Sequence, residues 1–198
     1  MNSWWQVRAP LLAAVASWAL AACASPEGDG PVASAAESRS NPASDAERLA
    51  VALADASAAF SRGDEARLAN ALRRIDAIGG RPLEGGASEL SQWRQVASEV
   101  PPMRGRSLGA GYRSGDLSPG RSEQLEQVFL SGKRASVALS APGSARLTLE
   151  VQDRRDEAVC DKEGNPAHCQ WVPVFTDRYR IRIANTGATA VRYYLVVE

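Results

Sequence analysis

The stretch that decides the fold is Tyr179-Arg180-Ile181-Arg182-Ile183, in which large apolar side chains alternate with arginines. Successive side chains of a strand point to opposite faces of a sheet, so this period of two predicts a strand with one buried face. The same alternation recurs at Val137 and Leu139, at Leu147, Leu149 and Val151, and at Tyr193, Leu195 and Val197. Short strands at this spacing predict an antiparallel β-sandwich of roughly six to eight strands over residues 123–198. By parity Tyr194 points away from Tyr193, so we expect one of these two rings to be exposed.

Two cysteines bracket a polar loop within this domain. Cys160 and Cys169 enclose a segment with Gly164 and Pro166, which allow the chain to double back. A disulfide is the default prediction for an exported chain, and closing this loop stabilises the fold by about 2.7 kcal/mol in the chain-entropy relation. Two alternatives use His168, the only histidine: a zinc site with both cysteines, or a thiolate and histidine pair.

An acidic segment precedes the first of these cysteines. Asp153, Asp156, Glu157 and Asp161 are candidate ligands for calcium, although they lack the glycine turn and regular spacing of a calcium loop. The alternative is a solvated acidic turn. We expect no other cofactor.

The segment over residues 45–100 has helical periodicity. Apolar side chains at Leu49, Leu53, Ala56 and Phe60 share one face, and those at Leu68, Leu72, Ile75 and Ile78 share another. Gly63 and Asp64 separate the two as a helix stop and a new N-cap, which predicts a helical hairpin. A third helix is predicted near Ser88, with Leu90, Trp93, Ala97 and Val100 before two prolines. The predicted fold class is therefore α+β. The apolar faces either form a core or dock a partner, in which case Leu72 and Trp93 are candidate contacts.

Residues 101–122 are predicted to form a connector rich in glycine, proline and arginine. Arg104, Arg106, Arg113 and Arg121 stand here against Asp116 alone. They either pair with nearby carboxylates in a solvated linker or contact anionic lipid headgroups.

The first 22 residues have the layout of an export signal: Arg8, then an apolar core over residues 9–20 that is too short to span a bilayer. The core ends in Leu20-Ala21-Ala22-Cys23, which resembles the lipobox of bacterial lipoproteins and implies a lipid on Cys23. Because Ala24 rather than Asp follows, the resemblance implies the outer membrane, facing the periplasm. Residues 23–44 are predicted to be a disordered tether. The alternative is an ordinary secretory signal that leaves Cys23 as a free thiol.

The charge balance bears on the class of partner. Removing the signal takes away Arg8 and no other charged residue, so 23 acidic residues face nearly as many basic ones. A nucleic-acid-binding protein would show a strong basic excess, so we expect no nucleic-acid partner.

The C-terminal 75 or so residues resemble the bacterial pre-peptidase C-terminal domain in the spacing of Phe129 and Gly132, the strand from Leu147 to Asp153, Trp171 after the cysteines, and the strand from Tyr179 to Asn185. The resemblance implies a jelly-roll-like sandwich that is not catalytic and that serves secretion, substrate contact or calcium binding. It assigns no functional residue here, and only a short helical region precedes it in this sequence.

The sequence lacks the common catalytic fingerprints, including Gly-x-Ser-x-Gly and His-Glu-x-x-His. We therefore expect a non-catalytic envelope lipoprotein that acts as an interaction module for a protein partner. One alternative is binding of a glycan or surface polymer by exposed aromatic residues such as Tyr112, Tyr193 or Tyr194. Others are an accessory module for a secreted hydrolase and, least favoured, a hydrolase that uses His168.

Overall fold

The computed structural model describes residues 43–83, 89–97 and 109–198. The predicted signal peptide, Cys23 and nearly all of the predicted tether lie outside the described residues, as do Val100, Arg104 and Arg106. None of the helices in the described part combines the length and apolarity needed to cross a membrane.

Three helices and nine strands make up the described chain, which confirms the α+β class. The helices are α1 (Asp45–Ser61), α2 (Glu65–Ile78) and α3 (Leu90–Val96). The strands are β1 (Arg81–Pro82), β2 (Gly111–Leu117), β3 (Ser122–Phe129), β4 (Ala135–Ser140), β5 (Leu147–Gln152), β6 (Ala158–Glu163), β7 (Ala167–Trp171), β8 (Asp177–Asn185) and β9 (Val191–Val197).

The predicted helical hairpin forms with the expected boundaries. Ser44 caps α1 by accepting the N–H of Glu47, and Asp64 caps α2 by accepting the N–H of Arg67. Gly79 ends α2 in the left-handed conformation, with φ of 81°, which glycine adopts at little cost. The N-cap predicted at Asp64 therefore forms, and Ser44 and Gly79 supply a further cap and a further stop.

Two sheets form the sandwich. The first sheet has the order β1-β2-β9-β4-β7, and the second has the order β3-β8-β5-β6. All pairings are antiparallel except that of the short β1 with β2. The inner faces meet in a core that includes Leu149, Ile181 and Leu195. The four strands predicted from alternation, β4, β5, β8 and β9, all form.

A second core lies between the helices and the outer face of the first sheet. Apolar residues of all three helices share this core with Ala138, Tyr194 and Val196. The expectation that one of the two adjacent tyrosines is exposed is wrong, because the helices cover the face to which Tyr194 points and leave it 1% exposed. The helical region and the sandwich are thus one packed unit.

Two predicted loops are strands. β2 lies inside the range predicted as a connector, so the sandwich begins before residue 123. It pairs along its whole length with β9 and buries Tyr112 and Leu117. The segment between the cysteines is also mostly strand. It contains the end of β6, which belongs to the second sheet, and the start of β7, which belongs to the first. The predicted disulfide between Cys160 and Cys169 is confirmed, with the two Cα atoms 5.9 Å apart, and it links the sheets.

Candidate functional site

The residues proposed for partner docking on the helices are buried. Leu72 is 0% and Trp93 2% exposed, because the helix faces that carry them lie against each other and against the first sheet. The Trp93 ring lies 6.1 Å from that of Tyr194. These two residues therefore form core, and the prediction that they offer a partner surface is wrong for the folded chain.

The tyrosines suggested for sugar stacking are buried as well. Tyr112, Tyr193 and Tyr194 are at most 2% exposed. Burial and a 2.7 Å hydrogen bond donated to Glu123 raise the pKa of Tyr193 to about 12. Burial also raises the pKa of Tyr194, which donates to Glu89 at 2.7 Å. None of the three rings offers a flat exposed face to a sugar.

The acidic residues suggested for calcium serve a turn instead. Asp153 accepts the N–H groups of Arg155 and Glu157 at 2.8 and 3.0 Å. Partial desolvation raises the pKa of Asp153, but these N–H groups and the Arg155 guanidinium together lower it below its usual value. Asp156 pairs with Arg180, while Asp161 lies on β6. Across the described ranges, no three acidic, histidine or cysteine side chains are grouped to hold a metal ion.

His168 lies in a polar cluster that sequence reasoning missed. Its Nε2 lies 2.9 Å from Oγ of Ser136 and 3.0 Å from Oγ of Ser44, and its Nδ1 lies 3.6 Å from a carboxylate oxygen of Glu47. The order serine, histidine, carboxylate matches the set used in nucleophilic hydrolysis. The Ser44-x-x-Glu47 spacing of a capping box was the available signal for half of it.

Three observations favour a structural clamp over a catalytic site. Ser136 is only 2% exposed, and Ser44 already accepts the N–H of Glu47 as the cap of α1. The 3.6 Å separation of His168 and Glu47 exceeds hydrogen-bonding length. The cluster ties the start of α1 to β4 and β7. His168 therefore fastens the helices to the sandwich.

The most exposed apolar side chains lie together at one end of the sandwich. Val174 and Phe175 are 75% and 76% exposed, and Leu130 and Val172 are each 58% exposed. We name these four residues the apolar rim. Contiguous exposed apolar surface on a soluble domain is uncommon and marks interaction sites.

Hydrogen bonds hold the apolar rim in place. The N–H of Gly132 donates to the carbonyl of Pro173 at 2.9 Å, and the hydroxyl of Ser131 donates to the carbonyl of Val174 at 2.6 Å. Beneath the rim, the rings of Trp171 and Phe129 meet edge to face at 4.9 Å. The backbone that carries the exposed side chains is therefore held in one conformation, which lowers the entropy lost when a partner binds.

Charged side chains border the apolar rim on one side. A cleft of about 510 Å³ runs beside it and is lined by Trp171, Phe175 and Tyr179 together with Asp153 and Arg154. Arg154 lies 3.6 Å from Asp177 at this border. An apolar centre with a charged border is the usual anatomy of a protein interface.

The chain was compared with known proteins. No family model matches it, and no curated protein matches it. The pre-peptidase C-terminal domain of a collagenase from Bacillus anthracis is 14% identical and covers 44% of this chain and 87% of its own, with a TM-score of 0.40. A mitogen from Yersinia pseudotuberculosis is 11% identical over 45% of this chain and 84% of its own, with a TM-score of 0.40. PliG from Aeromonas hydrophila, a periplasmic inhibitor of g-type lysozyme, is 17% identical over 50% of this chain and 93% of its own, with a TM-score of 0.37.

Proposed function

We propose that this protein is a non-catalytic lipoprotein of the bacterial cell envelope, anchored by a lipid on Cys23, that binds an envelope protein through the apolar rim. The observation that carries the proposal is the exposure of Val174 and Phe175 on a loop that is fixed by hydrogen bonds. Loops on a rigid sandwich commonly carry binding function.

The chemistry of the rim indicates what kind of partner fits. Phe175 and Val174 offer an apolar projection of the size that fills a pocket, and aromatic anchors dominate the energy of many interfaces. The partner should therefore present an apolar pocket bordered by polar groups that match the ion pair of Arg154 with Asp177. A glycan partner lacks this support, since Tyr112, Tyr193 and Tyr194 are buried.

The proposed location in the cell envelope rests on separate observations. The signal-like segment and the lipobox-like Leu20-Ala21-Ala22-Cys23 support export and lipid anchoring, and Ala24 supports the outer membrane. The disulfide between Cys160 and Cys169 suits an oxidising compartment such as the periplasm.

The test uses the lipidated full-length protein in cells. Crosslinking and mass spectrometry identify a captured envelope protein, which is then purified and titrated with the wild type and with the double variant Val174→Ser, Phe175→Ser. We expect a loss of affinity of at least about tenfold, the usual effect of removing an interface anchor. The matched control is Val96→Ser. Val96 is a 41% exposed valine on α3 and does not belong to the apolar rim. Equal affinity of wild type and double variant would contradict the proposal, as would capture of polysaccharide without protein.

A further inference from the structure

A cleft separate from the one beside Phe175 opens between the edges of the two sheets. It has a volume of about 340 Å³ and lies where the start of β2 approaches the end of β3. Phe129, Ala135 and Val197 are buried residues on its wall, and Leu83 is half-buried there. Small-molecule sites in proteins are typically of this size and largely apolar.

Three cations stand around the cleft. Arg81, Lys133 and Arg134 line it and are exposed. Within the described ranges none of the three lies within ion-pair distance of a carboxylate, whereas most other arginines there do. Glu198 is the one acidic residue among the described lining residues. The cleft therefore carries a local excess of positive charge over an apolar wall.

The turn that presents two of these cations is ordered. The N–H of Lys133 donates to the carbonyl of Leu130 at 3.2 Å, and Gly132 takes a φ of 69° that suits glycine in a turn. The N–H of Gly132 also bonds to Pro173 on the neighbouring loop. Lys133 and Arg134 are thus held at the cleft by their backbone.

We propose that this cleft binds a small amphipathic anion, a single acyl chain with a carboxylate or phosphate head. The head would lie against Arg81, Lys133 and Arg134, and the chain would contact Phe129 and Val197. A simple inorganic anion would leave the apolar wall unused, and a neutral lipid would leave the cations unpaired. The proposal shares only Leu130 with the apolar rim. A variant of Lys133 and Arg134 leaves the rim unchanged, so it tests this proposal separately from the proposed function.

The test is calorimetric titration of the full chain with dodecanoate below its micelle concentration, with dodecanol and inorganic phosphate as separate probes. We expect dodecanoate to bind more tightly than either probe. The double variant Lys133→Gln, Arg134→Gln should weaken dodecanoate binding by about three- to fivefold for each cation removed. The control Arg146→Gln, which removes an exposed cation outside the cleft, should leave the affinity unchanged.

A second variant changes the charge at the mouth of the cleft without disturbing the core. Leu130 lines the cleft and is 58% exposed, so Leu130→Asp places a negative charge at the mouth with little effect on folding. We expect weaker binding of dodecanoate. The proposal is overturned if wild type does not bind dodecanoate, if dodecanol or phosphate binds equally well, or if the double variant binds as wild type does.

Discussion

The two sheets differ in what covers their outer faces. Helices cover the first sheet, and the whole of β4 is buried. The second sheet faces outward with charges, where Arg178 pairs with Glu126 at 3.0 Å and Arg182 lies 3.9 Å from Glu150. The sequence difference is simple: β8 alternates apolar residues with arginines, whereas β9 is apolar at both parities after Arg192. A strand that is apolar on both faces needs a second layer of structure, and the helices supply it.

The largest expected effect comes from the helix layer. Leu72→Ala removes a fully buried side chain from the core shared by helices and sheet, so we expect the free energy of unfolding to fall by about 2–5 kcal/mol. Urea denaturation measures it. Leu130→Ala, at a 58% exposed site, is the control and should change the stability by less than about 0.5 kcal/mol. Similar losses in the two variants would mean that Leu72 is not buried in the helix layer.

The next effect concerns the link between the sheets. Replacing Cys160 and Cys169 together by serine removes the disulfide that joins β6 to β7, and we expect a loss of about 2.7 kcal/mol. Thermal unfolding of wild type under reducing conditions should give the same loss. A double variant as stable as oxidised wild type would show that packing alone holds the sheets together.

A smaller effect is expected where the third helix meets the sheet. Tyr194 donates a 2.7 Å hydrogen bond to the carboxylate of Glu89, which also pairs with Arg192. Tyr194→Phe keeps the ring and removes this bond, so the expected loss is about 1.5 kcal/mol. If the urea denaturation curve of Tyr194→Phe matches that of wild type, the hydrogen bond does not stabilise the packing of α3 against the first sheet.

Alkaline pH tests burial between the sheets. The pKa of Tyr193 is raised to about 12 in the folded chain from an ordinary value of 10.0. The unfolded chain therefore loses this proton first, so stability is intact below about pH 10 and falls as the pH rises toward 12. Tyr193→Phe should flatten this fall in denaturation curves recorded across that range. An unchanged slope in the variant would assign the fall to other groups.

The smallest effect is expected on the open face. Arg182 is 55% exposed and its partner Glu150 is 3.9 Å away, so Arg182→Gln should cost less than about 0.5 kcal/mol. High salt should remove even this difference. A loss as large as that of Leu72→Ala would mean that the outer face of the second sheet is also covered.

Local patterns predicted much of this fold. Alternation identified β5 and β8, and Gly63, Asp64 and Gly79 placed the helix ends, because each signal depends on neighbours in sequence. β2 was not predicted because Gly111 and Gly115 weaken its strand pattern. Gly115 is required by a distant residue, since a Cβ there would lie 2.8 Å from Cε1 of Tyr193.

The functional surfaces could not be predicted because they depend on tertiary packing. Only the fold shows that Val172, Val174 and Phe175 project into solvent. Conversely, Leu72 and Trp93 were expected at a partner surface and are buried in the core that the helices share with the first sheet. The adjacent Tyr193 and Tyr194 were a signal for the helix layer. Two neighbouring rings of a strand point to opposite faces, so burying both requires cover on both faces of β9.

Hydroxyl-radical footprinting of the full chain, read by mass spectrometry, tests the central claim most directly. The claim is that the helices bury one face of the first sheet while the apolar rim is left open. We predict slow oxidation of Trp93 and Tyr194, which are 2% and 1% exposed, and fast oxidation of Phe175, which is 76% exposed. Oxidation of Trp93 and Tyr194 at the rate of Phe175 would contradict the account.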